Sequence, residues 1–267
     1  MRSISVLIRS KDEADNIGKT LAALESQAHE HEVIVVDSGS TDRTVAIARE
    51  HGIEPIEISA ETFNFGAALN TGCEVAGGEI VIALSAHAYP TDPEWLDRMD
   101  AAFDDDAVCC ACGQVYSYEG GYLKEPVRQD AALQRAHREW GYTNSAGAFR
   151  ADLWRRRPWR TDMPSVEDKD WALHWMDRGY VTLIDPALAV EHTHAHDPLL
   201  SQYRRARRDY HGIAMAFELS PYGLRDLARD WWNELGTYDS ALRARLSYKR
   251  AIRLAGGYAG RRRATGA

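Results

Sequence analysis

The residues that could do chemistry gather in four short polar segments. "RSKDEAD" (9–15), "DSGSTD" (37–42) and "SAHAYPTD" (85–92) each follow an apolar, β-branched run, and "SVEDKDW" (165–171) opens a helical pattern. Carboxylates in such places can take a proton, while hydroxyls beside an exposed helix start suit a phosphate or a ribose. Capping of the helices is the structural alternative for the same residues. Asp168, Trp171, Ala172, Trp175 and Gly179 fall on one helical stripe, so Asp168 opens an apolar face. A Ser165–Asp168 capping box would explain it structurally, although Glu167 beside it could serve the helix terminus instead. His192, His194 and His196 alternate in "AVEHTHAHD" and would share a face of an extended chain, as metal ligands do. Histidines also pack in cores or sit at surfaces, and the single His87, at the mouth of an apolar strand, poses the same choice.

Those segments need elements to position them. Hydrophobic period and turn residues predict strands at "ISVLI", "EVIVVD", "EPIEIS" and "EIVIALS", separated by helices over 15–27, 41–51 and 66–76. Strands without polar alternation are covered on both faces, which predicts an α/β fold with a parallel sheet and right-handed crossovers. Such sheets bind ligands at the carboxyl ends of their strands, and the first three polar segments fall there. Ser40 or Thr41 is expected to cap the second helix, and Asp92-Pro93 to start a later one. The second half has a different pattern, with a strand in "VCCACGQVYSY", a mixed helix over 127–140, a short "SAGAFR" run, a helix from about Ser165, and a strand "YVTLID". From Leu199 to Leu254 the pattern is helical and amphipathic, with Tyr203, Tyr210, Trp231 and Trp232 interleaved with arginines.

With 267 residues, 45% of them hydrophobic, the chain can bury a large core without staples. Three of the four cysteines (Cys73, Cys109, Cys110, Cys112) stand in "CCAC", which reads as a buried strand and not as a disulfide framework or paired metal site. No stretch approaches the roughly 20 apolar residues that span a bilayer, and the N-terminus runs into a strand without a cleavable signal. A soluble, cytoplasmic protein is the expectation, with no nucleic-acid partner. The net charge of -8 is uneven, since from Leu200 onward 14 Lys and Arg stand against 6 Asp and Glu. The clusters "RRARR" and "RRR" suit an anionic partner such as a phospholipid face, and solvated helix faces explain them equally well. GxGxxG, GxxxxGK[ST] and HExxH are absent, and Val36 stands where a GxSxG elbow needs glycine.

Four segments in order, "SVLIRSKDEADNI", "VIVVDSGSTDRTVAIAREHG", "FNFGAALNTGCEVAGGEIVIALSAHAYP" and "VEDKDWALHWMDRGY", resemble the family 2 glycosyltransferases, especially a rhamnosyltransferase-like branch. The resemblance implies a GT-A fold, a mostly parallel, Rossmann-like central sheet flanked by helices, here with a helical C-terminal extension. It divides the chain into a catalytic domain over 1–198, with a nucleotide-binding half to about 118 and an acceptor half over 119–198, and a basic extension over 199–267. The implied activity is inverting transfer of a sugar from a nucleotide diphosphate sugar to an acceptor hydroxyl, assisted by a divalent cation, Mn2+ or Mg2+. Arg9, Glu13, Asp37, Ser38 and Gly39 would hold base and ribose, and Asn64, Gly66 and Asn70 would border the nucleotide. Asp168 matches the general base, with Glu167 beside it. Where relatives carry an Asp-x-Asp pair, this chain has Ser85, Ala86 and His87. An imidazole in place of a carboxylate moves preference from Mg2+ toward Mn2+ or another transition ion. His87 is therefore expected to reach the metal or diphosphate, and His192 to close the site. The acceptor would be a glycan, a lipid-linked saccharide or a small molecule, reached at the inner face of a membrane if the basic helices touch lipid; a dimer is compatible with the sequence. Two rival readings use the same residues, a sugar-nucleotide binding protein that has lost catalysis and a nucleotidyltransferase. The second lacks a Gly-rich, basic first loop, offering only Arg9 and Lys11.

Overall fold

The computed structural model describes residues 1–192, 198–233 and 247–265. The chain divides into two compact units, Met1–Thr161 with Asp168–Thr193, and Asp162–Glu167 with His194–Ala267. The first is built on strands β1 (Ile4–Ser10), β2 (His31–Asp37), β3 (Ile56–Glu57), β4 (Ile80–Ser85), β5 (Val108–Cys112), β6 (Val127–Gln129), β7 (Ala146–Arg150) and β8 (Val181–Ile184). They form one sheet in the order β3-β2-β1-β4-β7-β5-β8-β6. Its helices are α1 (Ile17–Glu25), α2 (Thr44–Glu50), α3 (Phe65–Val75), α4 (Trp95–Ala101), α5 (Ala131–Ala136), α6 (Ala151–Arg156) and α7 (Glu167–Met176), the last beginning at the boundary between the units.

Strands β1, β2, β3 and β4 are mutually parallel where they pair, with Arg9 opposite Val36 on one side and Ser85 on the other. Helices cover both faces, so β1 and β4 are apolar and buried almost throughout, with no polar alternation to mark a solvent face. Val6, Ile8, Ile82, Leu84, Trp95 and Phe103 form the centre of the core. Each such side chain contributes about 1.5–3 kcal/mol when fully buried. Trp95 also satisfies its indole N–H on the Leu188 carbonyl at 2.9 Å. The sheet order reverses at β1, so the cleft between β1 and β4 is the topological switch point. β7 runs antiparallel to both β4 and β5. Its amino end therefore lies at the same edge as the carboxyl ends of β1, β4 and β5, which matters for the site.

Several local expectations change. The segment over 127–140 starts as strand β6, paired antiparallel with β8. Only α5 is helical there, because Asp130 accepts the Leu133 N–H at 2.8 Å and sets the helix start. "EPIEIS" shrinks to a two-residue strand beside β2. Ser40 and Thr41 do not cap α2; Asp42 Oδ1 accepts the Thr44 N–H at 2.9 Å instead. The "CCAC" run is β5, wholly buried, and all four cysteines are free thiols. Burial pushes the Cys112 thiol up to about 12, a value that keeps it protonated and inert.

In the second unit, α8 (Leu199–Ala216), α9 (Leu224–Asn233) and α10 (Tyr248–Thr265) carry the basic residues. Some of these are structural. Arg250 is 3% exposed and donates to the carbonyls of Asp230 and Trp231 at 2.8 and 2.6 Å. Arg253 donates to the Tyr210 hydroxyl at 3.0 Å. Among the described residues no helix is long and apolar enough to cross a membrane.

Candidate active site at the carboxyl edge of the sheet

The loops after β1 and β2 are laced together. Asp37 is fully buried and accepts from the hydroxyls of Ser10 and Ser40 at 2.8 and 2.6 Å and from the Ser40 N–H at 2.7 Å. Asp12, at φ 52°, accepts the Thr41 N–H at 2.7 Å, while its own N–H donates to Ser40 Oγ at 2.8 Å. Glu13 N–H donates to Thr44 Oγ1 at 2.7 Å. Lys11 Nζ donates to the carbonyls of Ser38 and Gly39. The Thr44 hydroxyl donates to Asp42 and holds its carboxyl below the usual range. Ser38 is buried beneath this lattice and Gly39 is half-buried at its turn. The result is a rigid floor that presents polar groups of "DSGSTD" in fixed positions.

At the end of β4, Ser85 is half-buried and Ala86 fully buried, its carbonyl accepting from Thr20 Oγ1 at 2.8 Å. His87 follows with its ring in the cleft. Its Nδ1 lies 2.6 Å from Glu13 Oε1 and its Nε2 lies 3.1 Å from His192 Nε2. Nδ1 thus faces the Glu13 carboxylate and Nε2 faces the His192 ring. A carboxylate on the far nitrogen of an imidazole is the arrangement that orients histidine ligands in metal sites. The two histidine rings lie nearly parallel, 4.9 Å apart between centroids. Two nitrogens at 3.1 Å suit adjacent positions on one ion, and the donor type suits a transition ion better than Mg2+. Among the described residues no group of three or more His, Cys, Asp or Glu is set to hold a metal ion. The pair would therefore need oxygen atoms of a ligand to complete a shell. His194 and His196 lie outside the described residues.

A further carboxylate stands at the start of α7. Asp168 Oδ1 accepts the Lys169 N–H at 2.7 Å and Oδ2 accepts the Asn144 N–H at 3.2 Å. The Asn144 carbonyl in turn accepts from Arg9 at 2.8 Å, and Arg9 lies over the Phe65 ring at 5.5 Å. Asn144, just ahead of β7, thus ties the β1 end to the carboxylate of α7. It escaped the sequence reading; the polar "TNS" before an apolar strand was its only signal. Glu167 is 5% exposed and falls in the second unit, whereas Asp168 is half-buried in the first. Val166, a β-branched residue, is held at φ 69° just ahead of them, a conformation such residues rarely adopt.

The α3 residues are occupied with structure. Asn64 caps α3, accepting the Ala67 N–H at 3.1 Å. A Cβ on Gly66 would sit 2.1 Å from the Arg160 carbonyl, so close backbone approach requires glycine there. Asn70 Oδ1 accepts from Trp154 Nε1 and Trp159 N–H, and Nδ2 donates to the Trp159 carbonyl at 2.9 Å. Trp171 and Trp175 are core. Trp171 is fully buried, packed with Trp159 at 4.9 Å, and donates to the Arg157 carbonyl.

The mixed sheet with helices on both faces and a switch-point cleft at its carboxyl edge is a GT-A fold. The sequence profile of "Glycosyl transferase family 2" matches residues 5–182, and the chain belongs to that family. Glycosyltransferase AglE of Haloferax volcanii is 36% identical over 126 residues, 44% of this chain and 41% of that protein. The O-antigen chain rhamnosyltransferase RfbN of Salmonella typhimurium is 24% identical over 212 residues, 73% of this chain and 65% of that one. The chain thus spans between two-fifths and two-thirds of the length of these curated relatives. Among solved structures, the mannosyltransferase PcManGT of Pyrobaculum calidifontis, in complex with GDP-Man and Mn2+, aligns at TM-score 0.67 and 21% identity, over 91% of this chain and 74% of that one. Glucosyl-3-phosphoglycerate synthase of Mycobacterium tuberculosis, with Mn2+, UDP and glucosyl-3-phosphoglycerate, aligns at 0.61 and 18%, over 83% and 82%. At these identities the likeness shows the fold.

Proposed function

We propose that the chain is an inverting glycosyltransferase that moves a sugar from a nucleotide diphosphate sugar to an acceptor hydroxyl, with Asp168 as general base and His87 and His192 facing the diphosphate. The observation that carries this reading is the Arg9–Asn144–Asp168 connection, which holds a carboxylate at the edge where β1 and β4 end. The lattice around Asp37, Ser38 and Gly39 would receive base and ribose, and Ser85 and Ala86 would line the diphosphate path. Departure of a nucleoside diphosphate builds negative charge on the leaving group and positive charge on the sugar. A divalent cation, when bound by His87 and His192, would supply Lewis-acid stabilisation of the leaving phosphates. Asp168 takes the acceptor proton as the oxygen attacks from the opposite face of the sugar, and the two amides that donate to it hold its carboxyl group in place. Arg9 adds a fixed positive charge beside the same cleft. The Mn2+ complexes named above for two structural neighbours support a cation of this kind.

The acceptor in this reading is a glycan, lipid-linked saccharide or small molecule, and the basic second unit makes peripheral contact with an anionic membrane face. The test is release of nucleoside diphosphate from UDP-, GDP- and dTDP-sugars with and without Mn2+. Transfer that depends on Mn2+ and disappears in Asp168→Asn supports the reading. Pyrophosphate release from a nucleoside triphosphate, or nucleotide binding with no turnover, contradicts it.

A further inference from the structure

The hairpin between β5 and β6 carries an aromatic cluster that the reaction does not use. Its arms meet at an antiparallel Tyr116–Tyr122 bridge, Leu123 N–H donates to the Val115 carbonyl at 2.9 Å, and Ser117 N–H donates to the Gly121 carbonyl at 3.0 Å. Gly120 and Gly121, at φ 91° and 77°, close the turn in a region that side chains rarely adopt. Directly opposed residues share a face, and the two tyrosine rings stack with centroids 5.2 Å apart and 26° between planes. They are 58% and 70% exposed, with Val115 beside them at 45%. Tyr118 instead packs on His137 at 4.5 Å and on Trp140 at 5.1 Å. Trp140 Nε1 donates to the Tyr116 carbonyl at 2.8 Å. One tyrosine thus fastens the hairpin while the other two form a fixed, solvent-facing plate. A contiguous exposed aromatic surface of this kind marks an interaction site.

Location narrows the occupant. β4 and β5 are both antiparallel to β7, so the hairpin leaves the sheet at the edge where Ser85 and His87 lie. The segment from Trp140, bonded to the hairpin, to Asn144, bonded to Asp168, spans at most about 14 Å. We propose that the Tyr116–Tyr122 plate is a binding platform for the saccharide portion of the acceptor, at the same edge of the sheet as Asp168; this rests on the glycosyl-transfer reading above. A pyranose presents C–H bonds on one face, which lie flat on aromatic rings, and hydroxyls around its rim. The phenol hydroxyls and the exposed Glu119, Lys124 and Glu125 of the hairpin answer those hydroxyls. A plate of two rings bordered by charges is too small and too polar for a lipid chain or a protein core.

Saturation-transfer NMR on the full chain, without donor, tests this with methyl α-mannoside, methyl α-rhamnoside, methyl β-glucoside and methyl β-N-acetylglucosaminide as probes. At least one should receive saturation on its ring C–H protons; the paired Tyr116→Ala and Tyr122→Ala substitution should cut that signal by about fivefold or more, and Tyr→Phe at both should keep most of it. No transfer to any glycoside, or equal transfer in the alanine pair, overturns the proposal. Should the alanine pair fail to fold, Tyr122→Ser alone decides by the same criterion, since that ring is the more exposed. Nucleoside diphosphate thermal shifts run in parallel separate the two ideas: glycoside binding without nucleotide binding sinks the transfer reading and leaves the platform, and the reverse sinks the platform alone.

Discussion

Asp168 accepts two backbone amides, one from its own helix and one from Asn144, so its carboxylate is held by neutral donors. As a general base it should contribute roughly 100-fold to 10,000-fold in rate. Asp168→Asn is therefore expected to lower transfer by that factor while leaving the nucleotide-induced rise in melting temperature intact; a variant with full turnover removes the base assignment. His174, on the same helix, shows the opposite use of a titratable group. Burial first, then Arg157 and Arg178, push its imidazole from 6.5 down to about 4. Below pH 6.5 the unfolded chain takes up a proton that the folded one refuses until about pH 4, so this group's contribution to stability is present above 6.5 and is lost as pH falls through that window. Urea midpoints between pH 7 and 4 should fall less steeply in His174→Gln than in the native protein.

At the scale of elements, the parallel half of the sheet was legible because burial on both faces leaves unbroken apolar runs, and the polar segments after β1, β2 and β4 were legible because the switch point lies at those strand ends. What stayed hidden depends on distant neighbours. Nothing near Asn144 announces Arg9 or Asp168, and nothing in "AALNTG" announces that Asn70 will hold two tryptophans. The β6 strand was hidden because it is three residues long and borrows its pairing from β8. The pairing of Glu13 with His87 joins residues 74 positions apart. Asn70 makes the element-scale prediction. Its amide satisfies the Trp159 N–H and carbonyl and the Trp154 indole, all part-buried, between α3 and the chain beyond α6. Asn70→Ala leaves those groups unsatisfied and should destabilise the protein by about 3 kcal/mol in urea unfolding. A loss below about 0.5 kcal/mol, the usual range for surface substitutions, would show that water replaces the amide readily.

At the scale of the whole molecule, charge is segregated, with the residues from Leu200 onward basic and the rest acidic. The sequence overstated the basic surface, because Arg250 and Arg253 serve the packing of the second unit. Enough remains on α8 and α10 to predict co-sedimentation with vesicles containing anionic lipid, weakening as salt rises past the point where the Debye length falls below about 10 Å. Equal pelleting with zwitterionic vesicles would remove the electrostatic reading. The proposed reaction requires donor, cation and base to meet at one edge of the sheet, with the His87 imidazole at the end of β4 and His192 beside it. A crystal structure with Mn2+ and a nucleoside diphosphate, read by manganese anomalous scattering, measures that directly. One peak is expected about 2.1 Å from Nε2 of both His87 and His192 and in contact with the diphosphate; a bound diphosphate with the manganese elsewhere, or with neither ring turned toward it, would contradict it.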